Sequence, residues 1–236
     1  MTATAPPATD LPDGKAEGRR RMVSRLGAEF VGTGFLVAGV VGSGIMAQRL
    51  TDDDALRLLA SSAATAGVLV ALILALGPAS GAHLNPAVTL VDRLLGGLDT
   101  RTAAGYVAAQ LSGGIVGAVA ANVMFDLPAV AWSTTERSGA NLWFAEGVAT
   151  LGLVVVIFGV ARASRGSVAA FAVAGYIGGA YWFTSSTSFA NPAVTIARTC
   201  SDTFAGIAPA SVPAFVLAQL VGAVVALGVV LVVYPR

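Results

Sequence analysis

The chain has 236 residues, 56% of them hydrophobic and only 11% charged, with a formal net charge of +1. Soluble domains carry about a quarter charged residues, so an ordinary soluble domain is excluded, and the near-zero charge leaves no footprint for nucleic acid. The lone cysteine, Cys200, excludes an internal disulfide and reads as a small buried residue.

In chain order, the first stretch, MTATAPPATDLPDGKAEGRRR, lacks an apolar face and is expected to be a disordered tail over residues 1–22. A full-length apolar span follows its basic cluster without a small-residue cleavage site, so it is not read as a secretory signal. Six apolar segments come next, at about 25–47, 58–76, 103–125, 142–161, 168–183 and 212–234. Spans of roughly 20 apolar residues cross a bilayer. Two shorter pieces, Pro86–Leu95 and Pro192–Cys200, cannot. Each begins with Asn-Pro, an Asn cap followed by Pro at the first helical position, and is expected to be a half-helix that dips into the membrane and turns back.

Charge sets the sidedness. With the tail in the cytoplasm, Lys15, Arg19, Arg20, Arg21, Arg25, Arg93, Arg101, Arg162, Arg165 and Arg236 all lie inside. Only Arg49, Arg57, Arg137 and Arg198 lie outside, where Asp52, Asp53, Asp54, Asp126 and Glu136 offset them. This is a strong positive-inside bias with both termini cytoplasmic.

The chain repeats itself. AEFVGT (28–33) returns as AEGVAT (145–150), YVAAQLSGGIVGA (106–118) as FVLAQLVGAVVA (215–226), and NPAVT occurs at Asn85 and again at Asn191. The order Glu-helix, helix, Asn-Pro half-helix, Gln-helix thus runs once through residues 23–125 and once through 140–236. Three spans per unit invert the second copy and place a shared site at the bilayer midplane. The fold class expected is an all-α membrane protein: six transmembrane helices plus two re-entrant half-helices in an inverted repeat.

These motifs, SGAHLNPAVTL, the second Asn-Pro-Ala, and the paired Glu and Gln spans, resemble the major intrinsic proteins, the aquaporin and aquaglyceroporin channels. The resemblance implies an aquaporin-like homotetramer with one pore per subunit in a bacterial inner membrane. It implies passive passage of small uncharged solutes, no cofactor, no metal and no enzymatic activity. The pore motifs are Asn85, Pro86, Ala87, Asn191, Pro192 and Ala193. Their half-helix ends carry about half a positive charge each and oppose cations and protons; the two Asn amide groups are expected to point into the pore.

The residue after the second Asn-Pro-Ala is usually arginine in this family; here it is Val194. Family spacing from the asparagines places the remaining constriction residues at Thr65, Gly179 and Ser188. The ring Thr65, Gly179, Ser188 and Val194 has no aromatic and no charge. It is expected to be wide and neutral, favouring glycerol-like polyols or neutral metalloid hydroxides such as arsenite; Val194 together with Thr65 resembles the filter of arsenic-associated bacterial aquaglyceroporins. Arg198 lies one turn beyond the motif position and is assigned a loop-surface or helix-support role.

Glu29 and Glu146 are carboxylates within spans. Their equivalent places in the repeat favour acceptors for the N–H groups of the re-entrant loops, and Gln110 and Gln219 are expected to act as polar glue beside them. His83 is assigned to loop support or the pore mouth, with a pH gate as the alternative. Gly113-x-x-x-Gly117 and Gly175-x-x-x-Gly179 are spacings at which helices approach closely. The alternatives are a water-selective aquaporin, a proton-coupled secondary transporter, and a structural membrane protein with a vestigial pore.

Overall fold

The computed structural model describes residues 14–163 and 168–235, and regular structure among them is entirely helical. Eight helices follow in order: α1 (Gly14–Leu50), α2 (Asp54–Ser80), α3 (Pro86–Leu95), α4 (Thr100–Met124), α5 (Ala140–Arg162), α6 (Ala169–Phe183), α7 (Pro192–Ala197) and α8 (Val212–Val233). A 3-10 turn, Arg198–Cys200, continues α7.

Helices α1, α2, α4, α5 and α8 are long and apolar enough to cross a membrane, and α6 is a shorter apolar helix of 15 residues. The ten residues of α3 and six of α7 reach only about 15 and 9 Å at 1.5 Å per residue. A hydrocarbon core is about 30 Å thick, so neither half-helix spans it.

The expected tail needs correcting. Helix α1 already includes residues 14–22, and only residues 1–13 of the tail fall outside the described residues. Glu17 sits in the first turn, where the helix dipole favours an acid, and pairs with Arg21 one turn on.

Chain termini of the helices follow local chemistry. Asp53 caps α2 by accepting from Leu56 N at 3.0 Å. Asp99 caps α4 by accepting from the Arg101 and Thr102 amides. The Thr102 hydroxyl and these amides hold the Asp99 carboxyl below its ordinary pKa.

Within each half the first helix packs on the last: α1 on α4, and α5 on α8. Helix α2 against α6 joins the halves, while each half-helix packs against both α4 and α8. Glycine decides the closeness of the pairs. A Cβ at Gly113 would stand 2.1 Å from Phe30 O, one at Gly117 2.1 Å from Gly34 O, and one at Gly222 2.3 Å from Gly147 O. Bare backbones therefore touch, as small-residue interfaces in lipid allow. The spacing Gly175-x-x-x-Gly179 does not do this: both residues are exposed, with nothing within 4 Å of an added Cβ. The outer face carries large apolar groups in the open, with Phe144 76% and Val232 80% exposed, a surface suited to hydrocarbon rather than water.

Candidate functional site

The two half-helices meet end to end. Asn85 and Asn191 adopt nearly the same extended conformation, φ −158° and −157°. Asn85 Oδ1 accepts from Ala87 N at 2.9 Å, and Asn191 Oδ1 accepts from Ala193 N at 3.0 Å. Each amide then reaches across to the other loop: Asn85 Nδ2 donates to Ala190 O and Asn191 Nδ2 to Leu84 O, both at 2.8 Å. One N–H of each amide is thus spent on locking the halves together. Since a carboxamide has two N–H donors, one per asparagine remains for the cavity that both residues line. This modifies the expectation that the amides simply face the pore.

The loops before the half-helices are strained in matching ways. Ala82 and Leu84 in the first, and Ser188 and Ala190 in the second, all have φ near +50°, a region costly for residues with a Cβ. Buried carboxylates hold them there. Glu29 accepts from His83 N at 2.9 Å and Leu84 N at 2.7 Å; Glu146 accepts from Phe189 N and Ala190 N, both at 2.9 Å. Gln110 Nε2 bridges Glu29 and Thr89, as Gln219 Nε2 bridges Glu146 and Thr195. Glu29, Glu146, Gln110 and Gln219 are all fully buried. The backbone groups of a non-helical segment at this depth need such internal partners.

A cavity of about 270 Å³ runs past this junction. Its walls are stripes at helical spacing: Leu36 and Val40 of α1; Thr65, Leu69 and Ile73 of α2; Leu153 and Ile157 of α5; Val173, Ile177 and Tyr181 of α6. Helices α4 and α8 contribute nothing to the lining and stand behind the half-helices. Against the apolar walls lie the loop residues Gly81–Asn85 and Ser188–Asn191. Among the described residues, the carbonyls of Gly81, Ala82 and His83, and of Ser188 and Phe189, accept no bond from the protein. They offer acceptors along a wall that is otherwise mainly apolar.

His83 lines one end with Asp92. Its Nδ1 is 3.2 Å from Thr89 Oγ1, its Nε2 3.7 Å from Asp92, and its ring meets the Tyr106 edge at 5.3 Å. At the other end Thr65 Oγ1 is 3.0 Å from the Tyr181 hydroxyl. Ser188, Val194 and Arg198 complete that end. The Ser188 hydroxyl is buried and has no protein partner among the described residues.

Residues 19–185 match the family described as Major intrinsic protein. The chain belongs to the major intrinsic protein family. It is 53% identical over 206 residues to the aquaglyceroporin AqpS of Rhizobium meliloti (strain 1021), covering 87% of this chain and 88% of that protein. It is 34% identical over 153 residues to aquaporin NIP6-1 of Arabidopsis thaliana, a match that covers 63% of this chain and 49% of that protein. The X-ray structure of the aquaglyceroporin from Plasmodium falciparum superposes with a TM-score of 0.67 at 22% identity, covering 89% of this chain and 95% of that one, and so shares the fold. The chain is a multi-pass membrane channel of this family, not an enzyme.

Two residues lie elsewhere than the sequence predicts, Gly179 of the expected ring and Arg198 outside it. Gly179 is exposed and lines no part of the cavity; Tyr181 stands there instead. Two residues along a helix are a rotation of about 200°, so counting back twelve from Asn191 lands on the wrong face of α6. The cavity wall therefore carries an aromatic at this end. The signal was available in the stripe Val173, Ile177, Tyr181, spaced four apart, rather than in the distance to the motif. Arg198 is the second departure. It is 4% exposed and lines the cavity, so a surface role is excluded, although its Nε donates to Ala205 O and braces the following loop. Thr65, Ser188 and Val194 lie on the cavity at this end.

Proposed function

We propose that this protein is a passive pore for small uncharged solutes, passing water and glycerol-like polyols and also neutral metalloid hydroxides such as arsenite. The observation that carries this reading is the pair of Asn-capped half-helix ends facing one cavity whose helical walls are mainly apolar. A solute with hydroxyls can donate to the free loop carbonyls and accept from Asn85 and Asn191, while the two positive helix ends oppose cations. Val194 supports passage of solutes larger than water, because a small apolar group occupies the position after the second Asn-Pro-Ala. The name aquaglyceroporin, carried by the AqpS relative, points the same way. The channel is assembled as a homotetramer in a bacterial inner membrane, with the α1 start and the α3–α4 connection on the cytoplasmic side, as their arginines favour.

A proton-coupled transporter is disfavoured by Glu29 and Glu146. Each carboxylate is fully buried and committed to backbone amides and a glutamine, so these residues act as loop supports, with Gln110, Gln219 and His83 beside them.

The test is stopped-flow light scattering on proteoliposomes under water, glycerol and urea gradients, with arsenite uptake alongside. Water, glycerol and arsenite are expected to permeate without a proton gradient. Passage of water alone would identify a water-selective pore. Uptake that requires a proton gradient would establish the transporter, and no flux at all a vestigial pore. Val194→Arg is expected to suppress glycerol selectively while water continues to pass; unchanged glycerol flux would remove Val194 from the constriction.

A further inference from the structure

We infer that Arg198 supplies the fixed cation and solute-facing donors of the outer constriction, from a position one helical turn beyond the motif site occupied by Val194. The inference rests on the channel reading above. Arg198 is 4% exposed, yet among the described residues it pairs with no carboxylate. Its Nε is spent on Ala205 O, which leaves both Nη groups without a protein acceptor among the described residues, in a residue that lines the cavity. A buried guanidinium normally has its donors satisfied. Here the groups positioned to satisfy them are whatever occupies the cavity.

The side chain is held for this task. Its guanidinium carbon lies 3.4 Å above the centre of the Phe189 ring, a cation–π stack on the residue just before the Ala190-Asn191 turn. Phe189 is fixed in turn by an edge contact with Phe215, with ring centres 5.3 Å apart. The loop carrying Ala205 is anchored by Arg137, which donates to Gly206 O at 2.9 Å and Phe204 O at 3.2 Å. The cation is clamped between a ring and a carbonyl in a residue that lines the passage. Val194 keeps the ring wide at its own level, while charge exclusion and hydrogen-bond donation move one turn outward. The pore is therefore roomier than one with arginine at the motif position, without being neutral.

The experiment uses the full-length protein in proteoliposomes containing a trapped pH dye. Wild type is measured beside Arg198→Gln, Arg198→Lys and Arg198→His, with water permeability recorded for each. Arg198→Gln is expected to raise proton leak about tenfold, the factor corresponding to about 1.4 kcal/mol of lost barrier, with water flux retained. Arg198→Lys is expected to keep the leak low, because it keeps the charge; a side chain that merely propped the loop would not be rescued by charge. Arg198→His carries both states in one protein: the leak is expected to be low where the imidazole is protonated and to rise as it deprotonates, and burial together with Arg137 on the same Phe189 ring moves that rise below the ordinary His pKa of about 6.5. Leak in Arg198→Gln equal to wild type overturns the inference, and so does a pH-independent leak in Arg198→His if the Gln variant does not insert. Wild-type protein that passes no water would instead overturn the channel reading.

Discussion

Tyr181 and Thr65 show how a single contact shapes one end of the cavity. Their hydroxyls are 3.0 Å apart, so each is partly occupied by the other and less available to a solute. Tyr181→Phe removes that bond and frees the Thr65 hydroxyl. It is expected to cost about 1 kcal/mol, typical of one neutral hydrogen bond, and to raise glycerol permeability relative to water. A thermal melt in detergent and the same stopped-flow assay check the two halves of this prediction. Val194 and Arg198 belong to the same scale: the two residues share one helical turn, and which of them carries the charge decides whether the ring is wide, cationic or both.

At the scale of elements, the helix pairs that frame the cavity rest on bare glycines. Gly117→Ala would place a methyl 2.1 Å from the Gly34 carbonyl oxygen, and backbone cannot swing aside as a side-chain tip can. The expected loss is about 1–3 kcal/mol, the usual cost of overpacking, read as a lower melting temperature in detergent. Gly179→Ala is the matched control. With nothing within 4 Å of the new Cβ, it is expected to be neutral or to gain up to about 1 kcal/mol from helix propensity, with solute permeability unchanged. A fall in glycerol flux in Gly179→Ala would return that residue to the pore. The half-helices themselves were legible in advance: Pro86–Leu95 has the bounds read from sequence, because its Asn cap, proline start and Gly96 stop are local chemistry. The orientation of α6 was not legible, because it depends on how many residues the following loop consumes before Asn191.

For the whole molecule, sidedness is the open prediction. Cys200 is only 5% exposed, so the native chain should be nearly silent to a membrane-impermeant thiol reagent. Arg19→Cys and Arg101→Cys are expected to label only from the cytoplasmic side, and Asp52→Cys only from the opposite side; all three positions are exposed. Labelling of Arg19→Cys and Asp52→Cys from one face would contradict both the single crossing of α1 and the positive-inside reading.

The sequence by itself determined the membrane class, the eight helical segments, the internal repeat and the residues that meet at its centre. Composition, apolar run length and Asn-Pro caps act within one segment, and a repeated motif needs no coordinates to be seen. Only the tertiary structure decided what the two halves do to one another. The exchange of Asn85 and Asn191 amides with Leu84 and Ala190 carbonyls, the turning of Tyr181 rather than Gly179 into the cavity, and the clamping of Arg198 over Phe189 join residues set by loop length and helix rotation. Those quantities come from packing the whole chain, where a change of two residues turns a helix face from the pore to the lipid.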